Sequence, residues 1–411
     1  MNFFSIDRMK HRIPFGPALL AGLLLVMVHP AHADSYYSSI GLGMPRYFVS
    51  TKAHGMGGAG LGVVDRMSLN ALNPAAIQIY GLTTLGVNLE YEYVDNKSQM
   101  GGVKTRNGNA IAMQFVVPVQ KHVTLISMLR PLVSSRYTLS FAEENSDYAY
   151  TRTLKGNGGI NSASLGLQYL RGERWAAAAL IDFNFGSYSE EWKMDFSAAE
   201  FRDATDLFSS YVWGLGFDLG AIYRINKVLS LGAVYRSGSD MHLETSATLG
   251  NGFKIAADSN KIDVKYPASF GVGASINLKK WLFAADFYNQ SWRHYALNGQ
   301  KQPGFKSFQR FSAGVEFLES RNPLERYRRR IALRMGGYYA RLPFSNDAGQ
   351  QVHETFASFG IGLPFSVTVG QVDLAFEIGR RGDVAKFMYK DTIFRLNGSV
   401  VGSERWFQRR Y

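Results

Sequence analysis

The sequence predicts an all-β protein, a transmembrane antiparallel β-barrel of about 14 strands with an N-terminal plug in its lumen. Three observations carry this expectation. From residue 82 onward apolar residues recur at every second position, the period of a strand, with helical spacing almost absent. The connections between these runs alternate between long and short. The chain also opens on an export leader and contains no cysteine in 411 residues.

The leader comes first. Arg8, Lys10 and Arg12 precede an apolar run at 17–28, and Ala31-His32-Ala33 fits a small-x-small cleavage site. Residues 1–33 read as a secretory signal, with a membrane anchor as the alternative, because the apolar run is too short for a comfortable helical span. Removing it takes three basic residues and Asp7 from a net charge of +12.

Residues 34–81 are rich in glycine and turns and do not alternate. A fourteen-strand barrel is wide enough to leave an aqueous passage unless something fills it. Leu69, Leu72, Ala75, Ile77 and Ile79 give this segment apolar surface to bury, so it is expected to fold into the lumen rather than hang as a periplasmic tail.

Residues 82–411 form the barrel. In the run 84–94, Leu85, Val87, Leu89, Tyr91 and Tyr93 share one face against Thr84, Gly86, Asn88, Glu90 and Glu92. Comparable runs fall near 107–117, 121–141, 160–170, 174–186 and 208–224, and on to a last one near 391–402. Long connections such as 95–106, 142–159 and 187–207 alternate with tight turns such as 171–173 and 278–280, as in barrels of the outer membrane. The faces opposite the apolar stripe carry Arg130, Arg236, Arg310, Arg334 and Arg395 against Asp182, Asp218, Asp286, Glu316, Asp373 and Glu377. A soluble β-sandwich would turn these charges to solvent, whereas a barrel turns them into a polar lumen.

Composition excludes other classes. Without cysteine there is no disulfide framework, thiolate metal site or cysteine nucleophile. A mean hydropathy of −0.12 and the lack of long apolar stretches argue against a helical membrane protein. No basic block accompanies a nucleic-acid motif, so no nucleic-acid partner is expected. His54, His122, His242, His294 and His353 lack metal-ligand spacing, and no catalytic set or cofactor is read. Gly55-x-Gly57-x-x-Gly60 satisfies a dinucleotide pattern but neither follows a strand nor opens a helix. The basic run 321–330 reads as a turn near lipid headgroups.

Several passages together resemble one family. GMGGAG at 55–60 and SLNALNPAAI at 68–77 resemble the N-terminal hatch of the FadL/TodX outer-membrane transporters. YPASFGVGASINLKKWLFAADFYNQSW at 266–292, EIGRRGD at 377–383 and ERWFQRRY at 404–411 resemble further stretches of the same family. The resemblance spans essentially the whole exported chain and implies passive uptake of long-chain fatty acids or hydrophobic aromatic compounds. It implies no enzyme and a bacterial outer-membrane location. The implied partners are a hydrophobic ligand, membrane lipid and lipopolysaccharide, and the barrel-assembly machinery, with the protein a monomer. A general porin or structural surface barrel is the alternative.

Asn73, Pro74 and Ala75 match the family's NPA motif and are expected to form a rigid elbow between plug and barrel, since Pro74 fixes its own φ and restricts Asn73. Gly57, Gly58 and Gly60 are expected to give the hatch flexibility. In the family a kink in the third strand opens the wall sideways. Pro131 either borders such an opening or marks the rim of the strand. If the ligand is a carboxylate, Arg130 or Arg334 would meet its head.

Overall fold

The computed structural model describes residues 35–406, apart from 66, 79–80, 100, 145–148, 197–201, 251–252, 256–260, 321, 323 and 366–369. The predicted leader, Ile79 and the terminal Tyr411 lie outside the described residues.

The wall is built from antiparallel strands in chain order. These are β1 (Thr83–Ser98), β2 (Gly101–Gln120), β3 (Val123–Ser134, resuming as Tyr137–Glu144), β4 (Ala149–Arg171), β5 (Trp175–Phe196) and β6 (Ala204–Arg224). Then follow β7 (Leu229–Arg236 with Ser239–Thr248), β8 (Lys261–Tyr266 with Ser269–Leu278), β9 (Trp281–Gln290) and β10 (Phe308–Leu318). The last are β11 (Ala332–Ser345), β12 (Gln351–Pro364), β13 (Gly370–Gly382) and β14 (Tyr389–Glu404). Pairing of β1 with β14, from Thr83↔Glu404 to Ser98↔Tyr389, closes the cylinder.

Alternation sorts the residues as the sequence implies. On β5, Ile181 is 69% exposed outward while Asp182 beside it is 1% exposed in the lumen. Leu165, Leu167, Phe183, Leu215 and Phe217 continue the outward belt. An apolar belt of this extent has no place on a soluble monomer and must face lipid. A ring of Tyr169, Trp175, Tyr223 and Trp281 edges it on the rim of short turns, as aromatic residues do at a membrane interface. The molecule is an integral barrel of the outer-membrane type.

The long connections are shorter than the sequence suggests. β1 and β2 meet in a tight hairpin, Ser98↔Gly101, so most of 95–106 is strand, and β4 and β5 run far into 142–159 and 187–207. The physical reason is the change of surroundings. Beyond the lipid the outward positions become Asp95 and Lys97, or Ser187, Ser189 and Glu191, so the apolar alternation stops while the ladder continues.

Candidate functional site

The leading segment fills the bore. Leu61, Leu69, Leu72, Ala75 and Ile77 are buried there. Ser50 caps the helical turn Thr51–His54, its hydroxyl accepting from Ala53 N at 3.1 Å. That turn places Lys52 Nζ 2.5 Å from Asp65 and 3.1 Å from Glu316 of β10. Burial lowers the Lys52 pKa, but Asp65 and Glu316 outweigh burial and hold it above its ordinary value, so the ammonium stays charged at neutral pH. His54 Nδ1 lies 3.1 Å from Glu377, and Asp286 of β9 accepts from the Gly60 and Leu61 amides at 2.6 and 2.8 Å. The plug is thus clamped by buried polar contacts, and at Lys52 by buried ion pairs whose loss of one partner is costly.

Gly57 and Gly58 sit at φ of 69° and 81°, which L-residues rarely adopt. A Cβ on Gly57 would strike the backbone of Gly337 in β11, and one on Gly58 would strike the Arg310 guanidinium. A Cβ on Gly60 would press Ala53 and Val49 at 2.9 and 3.0 Å. Gly57 and Gly58 turn the plug backbone tightly and let it lie against the wall, while Gly60 lets two parts of the plug itself approach closely.

Asn73, Pro74 and Ala75 stand together in one capped 3₁₀ turn. Asn73 is the cap of the 3₁₀ turn Pro74–Ala76 and accepts from Ala75 N at 3.1 Å. Its amide donates to Leu61 O at 2.7 Å and to Ala221 O of β6 at 3.2 Å. Gln168 of β4 donates to the carbonyls of Pro74, Ala75 and Ile77 at 3.1, 3.0 and 2.6 Å. This turn is therefore fastened to β4 and β6.

Beside this anchorage the wall parts. β2 pairs with β3 from Gln120↔Val123 only as far as Met113↔Leu129. Beyond that point β2 stays with β1 and β3 stays with β4, and the described residues form no ladder pair between β2 and β3. The register of β3 on β4 shifts between Pro131 and Val133, and Pro131, lacking an N–H, stands where the ladder ends. Plug residues Met44 and Pro45 pair with Ser134 and Val133 from inside, and Arg46 N donates to Leu132 O at 2.9 Å. Across the seam Arg136 donates to Asn109 at 2.5 Å and Asn107 at 2.7 Å.

The seam opens on a cavity of about 530 Å³ that reaches from Arg46 of the plug, past Ile111, Pro131 and Val133, to Phe185 and Tyr211 on the wall. This is ample for a small ligand. A smaller inner pocket of about 40 Å³ shares Arg46, Ile111 and Pro131 with it and extends to Phe48, Arg310 and Tyr338.

Arg130 and Arg334 are both committed elsewhere. Arg130 donates to the Ala71 carbonyl and to Asp218, which also binds Arg236 at 2.7 Å. Arg334 binds Glu316 at 2.8 Å and Asp373 at 2.6 Å. Neither lines the two cavities. Arg310 does. It is buried, stacked 3.4 Å from the Tyr338 ring centre and 4.3 Å from that of Tyr47, and it donates to Ser312 and to Gly57 O. Among the described residues no carboxylate forms an ion pair with it. Sequence reasoning placed Arg310 in the lumen but had no signal for which arginine lacked an anion, because ion pairing depends on which strands face one another.

A closed barrel with a lipid-facing apolar belt, its bore filled by its own N-terminal segment, is the architecture of a plugged barrel of the outer membrane. The chain belongs to the BamG family, whose model matches residues 18–411. Its fold is similar to that of the CymD monoaromatic hydrocarbon channel, with 17% identity over 88% of this chain and 99% of that one and a TM-score of 0.60. It is likewise similar to the toluene transporter TodX of Pseudomonas putida (17% identity, 88% and 99% covered, TM-score 0.59). A FadL homologue of Pseudomonas aeruginosa shares 14% identity over 88% and 99%, with a TM-score of 0.61. At these identities the likeness is one of fold. No curated protein matches the sequence.

Proposed function

We propose that the protein passively admits hydrophobic small molecules, long-chain fatty acids or aromatic hydrocarbons, and releases them sideways through the seam between β2 and β3. The observation that carries this reading is the seam cavity, which runs from the plug to the outer wall beside the end of the ladder. Apolar molecules gain little from a water-filled pore, and here the bore is filled by plug. A side exit lets cargo pass into lipid without rehydration, a saving of about 0.8 kcal/mol for each CH₂ kept from water. If the cargo bears a carboxylate, Arg310 rather than Arg130 or Arg334 is the guanidinium placed to receive it.

The test uses proteoliposomes and a thiol bridge across the seam. The natural chain has no cysteine, so Ala110→Cys with Val133→Cys, joined by a cleavable bifunctional reagent, crosslinks only there. Uptake of labelled fatty acid or toluene is expected to saturate, to stop on crosslinking and to recover on cleavage. Free permeation of sugars, or uptake indifferent to the bridge, would sink the reading.

A further inference from the structure

The short-turn rim carries charge that neither the plug nor the seam uses. Going round the barrel, Lys121, Arg174, Lys227 and the pair Lys279 and Lys280 stand exposed on successive turns. The connection between β10 and β11 adds exposed Arg326, Arg328 and Arg329, and there Leu324 is 91% exposed. Acids on these turns are fewer: Glu173, Glu319 and Glu325, of which the last two pair with Arg329 at 3.3 and 3.4 Å. The opposite rim mixes its signs, as in Lys193–Asp195 at 2.6 Å and Lys261–Glu244 at 3.5 Å.

We infer that this rim is a headgroup collar that binds the phosphates of anionic phospholipids in the adjoining leaflet. Two observations select that partner. The aromatic ring fixes the depth of the interface, with Trp281 packed 4.8 Å from Phe317, and Lys279 and Lys280 immediately precede Trp281 in the chain. The cations therefore lie at the level of lipid phosphates. They are also spread over the turns from β2–β3 to β10–β11, as an encircling lipid annulus requires, whereas a protein partner would read one sector. Leu324, almost fully exposed on the same turn, adds an apolar side chain of the kind that a lipid interface covers.

The full-length barrel, reconstituted in mixed micelles of phosphatidylglycerol or phosphatidylcholine, tests this by native mass spectrometry. The wild type is expected to retain phosphatidylglycerol preferentially, and less so as salt rises. Replacing Lys279, Lys280, Arg326 and Arg328 together by Ser is expected to weaken that preference by about tenfold or more, since each cation near an anionic surface is worth roughly fivefold. A heat-shift gel verifies that the variant barrel folds. If it does not fold, the salt dependence of the wild type decides. Equal retention of the two lipids, a preference insensitive to salt, or an unchanged preference in a folded variant would overturn the collar. So would a photo-crosslinker at position 328 that captures one acidic polypeptide in native envelopes in place of lipid.

Discussion

Breaks in β7 and β8 and the bend in β3 all depart from a regular ladder, and they are treated in opposite ways. Where β7 breaks at residues 237–238, side chains repair the fault. Ser237 N donates to Phe217 O at 2.9 Å, its hydroxyl accepts from Phe217 N at 2.9 Å, and Ser239 donates to Leu215 O at 2.7 Å. In β8, Ala268 O accepts from Ser291 N at 3.0 Å across the break at residues 267–268. Where β3 bends, no such ladder repair joins it to β2 among the described residues; Arg136 reaches across to Asn107 and Asn109, while the plug strand Met44–Pro45 pairs with β3 alone. Lipid penalises unsatisfied backbone heavily. On the proposed function, the fault left unrepaired beside a cavity serves as the exit, while the repaired break is a change of curvature.

The largest effect expected from this contrast is the crosslinked seam, which should abolish uptake while an equivalent bridge across the β7 break leaves it unchanged. Next comes Arg130→Ala. It removes the tie from β3 to Ala71 and leaves Asp218 with Arg236 alone, at an expected cost of about 3 kcal/mol in barrel stability, read as a lower thermal midpoint of the heat-shift gel. An unchanged midpoint would mean that β3 is not held by the plug. Pro131→Val restores an N–H where the ladder ends; the barrel should fold as before while uptake falls several-fold. Unchanged uptake would return Pro131 to the role of a rim residue. The smallest effect is Ser237→Ala, about 1 kcal/mol from one lost repair bond, with uptake unaffected. If Ser237→Ala altered uptake more than Pro131→Val, the assignment of aperture and repair would be inverted.

Parts of the site were legible in advance. Asn73-Pro74 announces a capped turn because proline fixes φ and asparagine accepts from the second amide onward, and both are local effects. Pro131 could be marked as an interruption for the same reason. Gly57 and Gly58 were legible as special but not in kind. Their φ values and the closeness of Gly337 depend on a wall strand nearly three hundred residues away in the chain. Arg136, with no local signature at all, bridges the seam only because β2 presents Asn107 and Asn109 to it.

What the sequence settled by itself follows from periodicity and solvent. Alternating residues make strands, an outward apolar stripe demands lipid, and strands in lipid must close into a barrel. Register was decided only in three dimensions, because a ladder's partners are chosen by twist, curvature and the plug inside it. Which arginine stays without an anion, where β2 leaves β3, and how far strands climb beyond the membrane all depend on contacts distant in the chain, and no local pattern encodes them.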